Sequence, residues 1–251
     1  MWRFIRVWQR DFKVWTKYSG VSLISNLGEP LLYIVAIGFG LGRHIGSMEG
    51  VPYPVFLAPA ILSSAIMNSA SFETTFSSYT RLTVQKTFDG IVVTPVGPAE
   101  VILGEMAWAA TKSLITATLM YGVFLAFGFV EHPIYGLIVL PIALISGFLF
   151  AAMGMLVTAY ARSYDFFAYY FTLVLGPMFF FSGTFFSLSE FPVWVQRLAY
   201  LLPLTHCVQL IRSVFLGQWP PSNWLHLIWM VVLAVSFAAV GVFAMRRRLV
   251  N

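Results

Sequence analysis

The sequence predicts an all-α integral membrane protein with six spans. Two observations carry this. Of 251 residues, 59% are hydrophobic and only 10% are charged, whereas a soluble domain carries about 25% charged residues. The apolar residues also fall in runs of about 20, the length a helix needs to cross a bilayer core. Helices and closed barrels are the two structures that span lipid, and a barrel would show alternation over segments of about ten residues instead.

Residues 1–19, MWRFIRVWQRDFKVWTKYS, form the first element. Trp2, Ile5, Trp8, Phe12 and Trp15 recur three or four apart, while Arg3, Arg6, Arg10, Lys13 and Lys17 occupy other faces. That is the pattern of an amphipathic helix lying among headgroups. It lacks the apolar core of a cleaved signal. The net charge of +5 comes largely from this arm, so it implies anionic lipid rather than nucleic acid.

Spans are expected near 20–42, 53–79, 100–128, 134–160, 166–188 and 223–245. The first ends in Gly38, Gly40 and Gly42, which permit close helix approach, and GRHIGSMEGVP follows as a loop. The break RLTVQKTFDGIVVTPVGP, part of the segment 80–98, is too long for a plain turn. Its Asp-Gly, Thr-Pro and Gly-Pro pairs punctuate it, and a short helix from Leu82 to Phe88 would present Gln85, Lys86 and Asp89 to a partner or rest on headgroups. VEHP and ARSYD join the next spans. Gly176 and Pro177 should break the fifth span between two clusters of rings. Eleven of the fifteen Lys and Arg fall in the N-terminal arm, the loops on its side and the C-terminus, against three on the other side, and Lys112 lies within a span. This bias places both termini in the cytoplasm.

Between spans five and six lies YLLPLTHCVQLIRSVFLG. From Leu204 to Leu216 it has 13 residues, about 20 Å of helix, where a bilayer core measures about 30 Å. His206, Gln209, Arg212 and Ser213 share one face. This helix should dip into the outer leaflet and return, paired with a short helix near Pro192–Leu202. Its apolar residues Val208, Ile211 and Phe215 would pack on the spans. His206, Gln209 and Arg212 would meet water or headgroups as an external gate, with Arg212 reaching the interface or holding a lipid phosphate.

Within the spans, Ser64, Asn68, Ser71, Thr75 and Ser78 make one stripe at helical spacing. It is either packing glue or the wall of a transport path. Glu29, Glu73, Glu105 and Lys112 are ionisable at membrane depth, either as a structural ion pair between spans two and three or as a polar patch at the mouth of a path. Span five carries ten rings in 21 residues. Most suit lipid or neighbouring helices, but Tyr169 and Tyr170 combine a ring face with a hydroxyl, as sugar recognition requires. The candidates for a transport path are therefore Asn68, Ser71, Glu73, Thr75, Glu105, Lys112, Tyr169, Tyr170 and Phe180. No catalytic residue is assigned. One cysteine, Cys207, excludes an internal disulfide, four dispersed histidines argue against metal, and AATKS lacks the glycine of a phosphate-binding loop.

The stretches LGEPLLYIVAIGFGLG, SASFETTF, LGEMAWAATKS, ARSYDFF, FFSGTFFSLSEFP and LLPLTHCVQLIRSVFLG resemble the permease subunits of type-2 ABC exporters, in particular the NodJ-like lipooligosaccharide-exporter branch. The likeness covers nearly the whole chain. It implies a bacterial inner-membrane permease working as two copies with two copies of a separate ABC ATPase. That partner would bind ATP and Mg, and this chain would hold no cofactor. It implies that the N-terminal arm and Gln85, Lys86, Thr87, Phe88, Asp89 and Gly90 contact the ATPase. It also implies two short re-entrant helices on the outer face, within 189–217. The expected substrate is an amphiphile of the lipo-oligosaccharide kind. The alternatives are a drug or antibiotic exporter, which would use the same aromatic lining, and a membrane-embedded acyltransferase, for which His206 and Glu190 would have to meet.

Overall fold

The computed structural model describes residues 3–250, including all their side chains except those of 23, 25, 26 and 250. Trp2 of the amphipathic pattern lies outside them. In chain order the helices are α1 (Phe4–Trp15), α2 (Ser19–Ile45), α3 (Tyr53–Thr83), α4 (Thr87–Val92), α5 (Pro98–Ala126), α6 (Pro133–Tyr160), α7 (Asp165–Phe181), α8 (Val193–Ala199), α9 (Pro203–Phe215) and α10 (Ser222–Leu249). The loop after α2 holds a small hairpin, β1 (Ser47–Met48) paired antiparallel with β2 (Val51–Pro52). Its turn residues Glu49 and Gly50 both have positive φ, as a two-residue hairpin turn requires.

Five of the helices are long and apolar enough to cross a membrane: α2, α3, α5, α6 and α10. The fifth expected span is shorter than the sequence suggests. It ends at Phe181 rather than 188, and its 17 residues reach about 25 Å. The pair α8–α9 is bent by 89°, so the 13-residue helix does not extend its predecessor. The chain is thus an all-α integral membrane protein.

Helix α3 is the centre, with 83% of its apolar window buried, against 13% for α2 and 28% for α10. Helices α5 and α6 pack on it, α10 packs on α6, and α9 wedges against α3 and α10. Small residues allow the closest approaches. A Cβ on Gly154 of α6 would come within 2.3 Å of the Thr74 hydroxyl on α3, and one on Gly147 within 1.9 Å of Ser113 on α5. Of the three glycines ending α2, Gly38 and Gly42 face α3, whereas Gly40 meets nothing. The amphipathic α1 lies against α5. A Cβ on Gly104 would stand 2.6 Å from Val7 Cβ and 2.8 Å from the Phe4 carbonyl. Trp8 Nε1 donates to Thr111 at 2.9 Å.

Three helices contain π-helical turns: Ile34–Leu41 in α2, Glu73–Ser77 in α3 and Tyr170–Leu175 in α7. The last replaces the expected break. Pro177 has no N–H and crowds the preceding turn, and a widened turn just before Gly176–Pro177 absorbs this without ending the helix. In α3 the widened turn is supported from α6, where the Thr158 hydroxyl donates to the Thr74 carbonyl at 2.7 Å. Such support is what irregular backbone needs in lipid.

Candidate functional site

The π-turn in α3 determines which side chains meet. It inserts about one residue into the helical count. Glu73 and Arg81, eight apart, therefore sit like residues about seven apart, close to two turns of about 3.6. Arg81 Nη2 donates to Glu73 Oε1 at 2.8 Å. Trp108 Nε1 of α5 donates to the same oxygen at 3.1 Å, and Lys112 Nζ donates to Glu73 Oε2 at 2.8 Å. Glu105 does not take Lys112. Its Oε2 accepts from Ser78 at 2.7 Å and lies 2.6 Å from Arg81 Nη2.

Helix α1 completes the group. Arg10 pairs with Asp11 and lies 3.7 Å from Glu105, and Arg81 lies 3.9 Å from Asp11. Three carboxylates and three cations from α1, α3 and α5 thus cancel in formal charge, with Glu73 and Glu105 fully buried. Burial first, and then the Glu105 carboxylate, push the Asp11 carboxyl up to about 7 against the pull of Arg81 and Arg10. Asp11 Oδ2 has no hydrogen-bond partner among the described residues, so the α1 edge of the network is its least satisfied part.

Lys112 also lines a cavity of about 690 Å³ between α2, α3 and α7. Its wall combines rings (Tyr18, Tyr33, Phe72, Phe171 and Phe179) with Ser64, Asn68, Ser69 and the exposed Glu29. All three helices around it carry a π-turn. Helix α7 is held largely through side chains, with Phe76 against Phe167 and Phe171, Tyr33 against Phe179, and the Ser71 and Tyr170 hydroxyls 3.3 Å apart.

The expected polar stripe is therefore not one face. Ser64 and Asn68 reach the cavity. Beyond them Ser71 meets Tyr170, Thr75 donates to its own Ser71 carbonyl at 2.7 Å, and Ser78 serves Glu105. The π-turn Glu73–Ser77 redirects the part that follows Ser71. Tyr169 and Tyr170 do not act as a pair either: Tyr169 is 65% exposed, while Tyr170 is buried on α3. Phe180 is exposed away from the core.

On the loop, the short helix is α4, five residues later than its expected start. Lys86 precedes it with a left-handed φ of 54°. Gln85, Lys86, Asp89 and Gly90 are exposed and Thr87 is half-buried. Phe88 points inward and is fully buried in the chain's own core, so it is not free to enter a partner's groove. Arg3 donates to the Pro95 carbonyl and so ties the N-terminal arm to this loop.

At the other end of the bundle, Val208, Ile211 and Phe215 pack inward as expected. The polar face of α9 is largely covered by protein. His206 and Arg212 are buried and Gln209 is half-buried. The His206 ring nitrogens are taken by His226 at 2.7 Å and the Tyr200 carbonyl at 2.8 Å. Arg212 donates inward to the Gly183 carbonyl at 2.7 Å. These partners come from α10 and from the turns beside α7 and α9, so the polar face is used in holding segments together. Glu190 is exposed, and neither nitrogen of His206 is paired with it.

Comparison with known proteins agrees with this architecture. Residues 3–216 match the family model described as ABC-2 type transporter. The chain is 38% identical to Nodulation protein J of Sinorhizobium fredii over 250 residues, covering 100% of this chain and 95% of that protein. It is 37% identical to Nodulation protein J of Rhizobium leguminosarum bv. viciae over 248 residues, 99% and 95% of the two chains. It is 25% identical to the inner membrane transport permease YadH of Escherichia coli K12 over 216 residues, 86% and 79%. The family-model match over residues 3–216 and the likeness to the Nodulation protein J chains over their length lead to one conclusion: the chain belongs to the ABC-2 type transporter family, as a membrane permease subunit.

Proposed function

We propose that this permease moves an amphiphile of the lipo-oligosaccharide kind outward across a bacterial inner membrane, as two copies driven by two copies of a separate ABC ATPase that binds ATP and Mg. The cavity between α2, α3 and α7 carries this reading. Its rings offer stacking faces and apolar surface, and Asn68, Ser64, Ser69, Glu29 and Lys112 offer hydrogen bonds and both signs of charge. A molecule with a sugar part and an acyl part uses both. In this reading α1 lies in the headgroup layer, both termini are cytoplasmic, the bent pair α8–α9 is re-entrant on the outer face, and α4 with Gln85, Lys86, Asp89 and Gly90 carries motion from the ATPase. The lightly packed α2 and α7 are the surfaces on which the second copy would sit.

A drug exporter would use the same rings without need of the amide and hydroxyls. Stimulation of the partner's ATP hydrolysis in nanodiscs separates the two. A lipo-oligosaccharide should stimulate it, and the same acyl chain without sugar should not. Stimulation by an uncharged aromatic drug, with none by the glycolipid, would favour the drug reading. The acyltransferase reading has no support in the geometry, since both nitrogens of His206 are occupied by His226 and a backbone carbonyl.

A further inference from the structure

The charge network and the cavity meet at one side chain. Of the six ionisable residues in the network, Lys112 alone lines the cavity, and its side chain is 10% exposed. An ammonium group has three N–H donors. Lys112 uses one on Glu73 Oε2, at 2.8 Å, and makes no other side-chain hydrogen bond or ion pair among the described residues. Two donors are left over on the one network residue that reaches the cavity.

Glu73 does not depend on Lys112 alone. Its Oε1 accepts from Arg81 at 2.8 Å and from Trp108 at 3.1 Å. The charge balance also shifts at the α1 edge. Burial and then the Glu105 carboxylate push the Asp11 carboxyl up to about 7, so near neutral pH a large share of molecules hold a proton there. The network then sets two carboxylates, Glu73 and Glu105, against three cations, Arg10, Arg81 and Lys112. One positive charge is in surplus, and Lys112 is the cation open to a ligand. Glu29, the carboxylate of the cavity wall, is exposed, and salt screens an exposed charge more than a buried one.

Neutral donors stand beside it. The Ser69 hydroxyl of α3 lies 3.4 Å from that of Thr116, one turn after Lys112 on α5. Asn68 and Ser69 both line the cavity, and amide and hydroxyl groups can donate to the same anion as an ammonium. We propose that Lys112 recognises an oxyanion on the exported amphiphile, with Asn68 and Ser69 completing the contact, so that the cavity selects anionic over neutral cargo. This rests on the reading of the cavity as the route of export. The shared chemistry is an anionic oxygen group, either a carboxylate on the sugar or a phosphate ester on the lipid. The ammonium would stay on Glu73 and give its remaining donors to the ligand as charge-assisted hydrogen bonds.

The test uses the full chain in nanodiscs of phosphatidylcholine, which carry no net charge. Equilibrium dialysis measures the binding of labelled octyl glucoside, octyl glucuronide and octyl phosphate, with empty nanodiscs subtracted. At least one anionic probe should bind about tenfold tighter than the neutral glucoside, the weight of roughly one charge-assisted hydrogen bond. The tighter of the two anionic probes identifies where the cargo carries its charge. Lys112→Gln should abolish that preference while leaving glucoside binding in place. Should this variant fail to fold, Lys112→Gln/Glu73→Gln restores the formal balance and must lose the preference as well. Equal affinity of the unaltered chain for all three probes overturns the proposal and leaves the cavity reading standing. So does a preference retained by a folded chain without Lys112. No saturable binding of any probe, or binding unaffected by Asn68→Trp, overturns the cavity reading and this proposal together.

Discussion

The Lys112 ammonium lies 2.8 Å from the Glu73 carboxylate, joining α5 to the π-turn of α3 where the cavity meets the charge network. Removing one partner leaves the other buried. Lys112→Met should therefore destabilise the chain by about 3–5 kcal/mol. Adding Glu73→Gln should recover part of this, because Arg81 keeps Glu105 and formal charge is again balanced. Thermal melts of the single and double variants in detergent check this. A double variant no more stable than Lys112→Met would show that the pair is not coupled.

Gly104 holds α1 against α5. Gly104→Leu should push α1 off while leaving the spans in place, since the three atoms nearest to an added Cβ all belong to Val7 and Phe4 of α1. Protease cleavage within residues 4–15 should rise several-fold while membrane insertion is unchanged. An unaltered cleavage pattern would mean that α1 docks elsewhere.

Docking of α1 should also depend on pH through Asp11, whose carboxyl is raised from 3.8 to about 7. A raised carboxyl favours the docked state while protonated. The contribution is complete below about 4, the ordinary aspartate range, and is lost as pH rises through about 7. Hydrogen exchange in α1 should be slower at pH 5.5 than at pH 8 after correction for intrinsic rates. Asp11→Asn should remove that difference, and a difference that persists in Asp11→Asn would assign it to another group.

Tyr169 and Tyr170 should separate cleanly. Tyr170→Ala removes a buried ring and should cost about 3–5 kcal/mol, by analogy with buried phenylalanine. Tyr169→Ala should leave stability within about 0.5 kcal/mol and lower export, if the exposed ring meets substrate or the second copy. Full export by a stable Tyr169→Ala chain would leave that ring facing lipid only.

The coupling element makes a similar division. Phe88→Asp should unfold α4, because Phe88 is buried in the chain's own core. Reversing the exposed Lys86 and Asp89 should leave the chain folded and uncouple ATP hydrolysis from export. Normal export in the charge-reversed chain would remove these two residues from the ATPase contact.

Some of this was legible in the sequence and some was not, for physical reasons. The faces of α1 were legible because its aromatic and cationic residues keep helical spacing without interruption. The brevity of α9 was legible from its 13 residues. The stripe in α3 was legible as far as Ser71 and misleading after it, because counting 3.6 residues per turn fails across the π-turn Glu73–Ser77. Arg81 was assigned to the loop because the second span was expected to end at residue 79, whereas the helix runs on to Thr83 and makes Arg81 the hub of the network. Asp11 sits four residues after Val7 and four before Trp15, on their buried face, and that spacing is the signal that could have found it. The burial of His206 and Arg212 was not legible. Their partners, His226 and the carbonyls of Tyr200, Gly183 and Phe56, come mostly from distant parts of the chain, and a polar helix face looks the same whether protein or water covers it.

The central claim is that the cavity between α2, α3 and α7 is the route of export. Asn68 lines it and is exposed within it, so Asn68→Trp should fill the space without disturbing the charge network. The measurement is ATP-driven transfer of a labelled lipo-oligosaccharide across proteoliposomes containing this chain and its ATPase partner. The account predicts transfer by the unaltered chain and at least a tenfold loss in Asn68→Trp, with ATP hydrolysis retained. Transfer at the unaltered rate by the filled variant would contradict it.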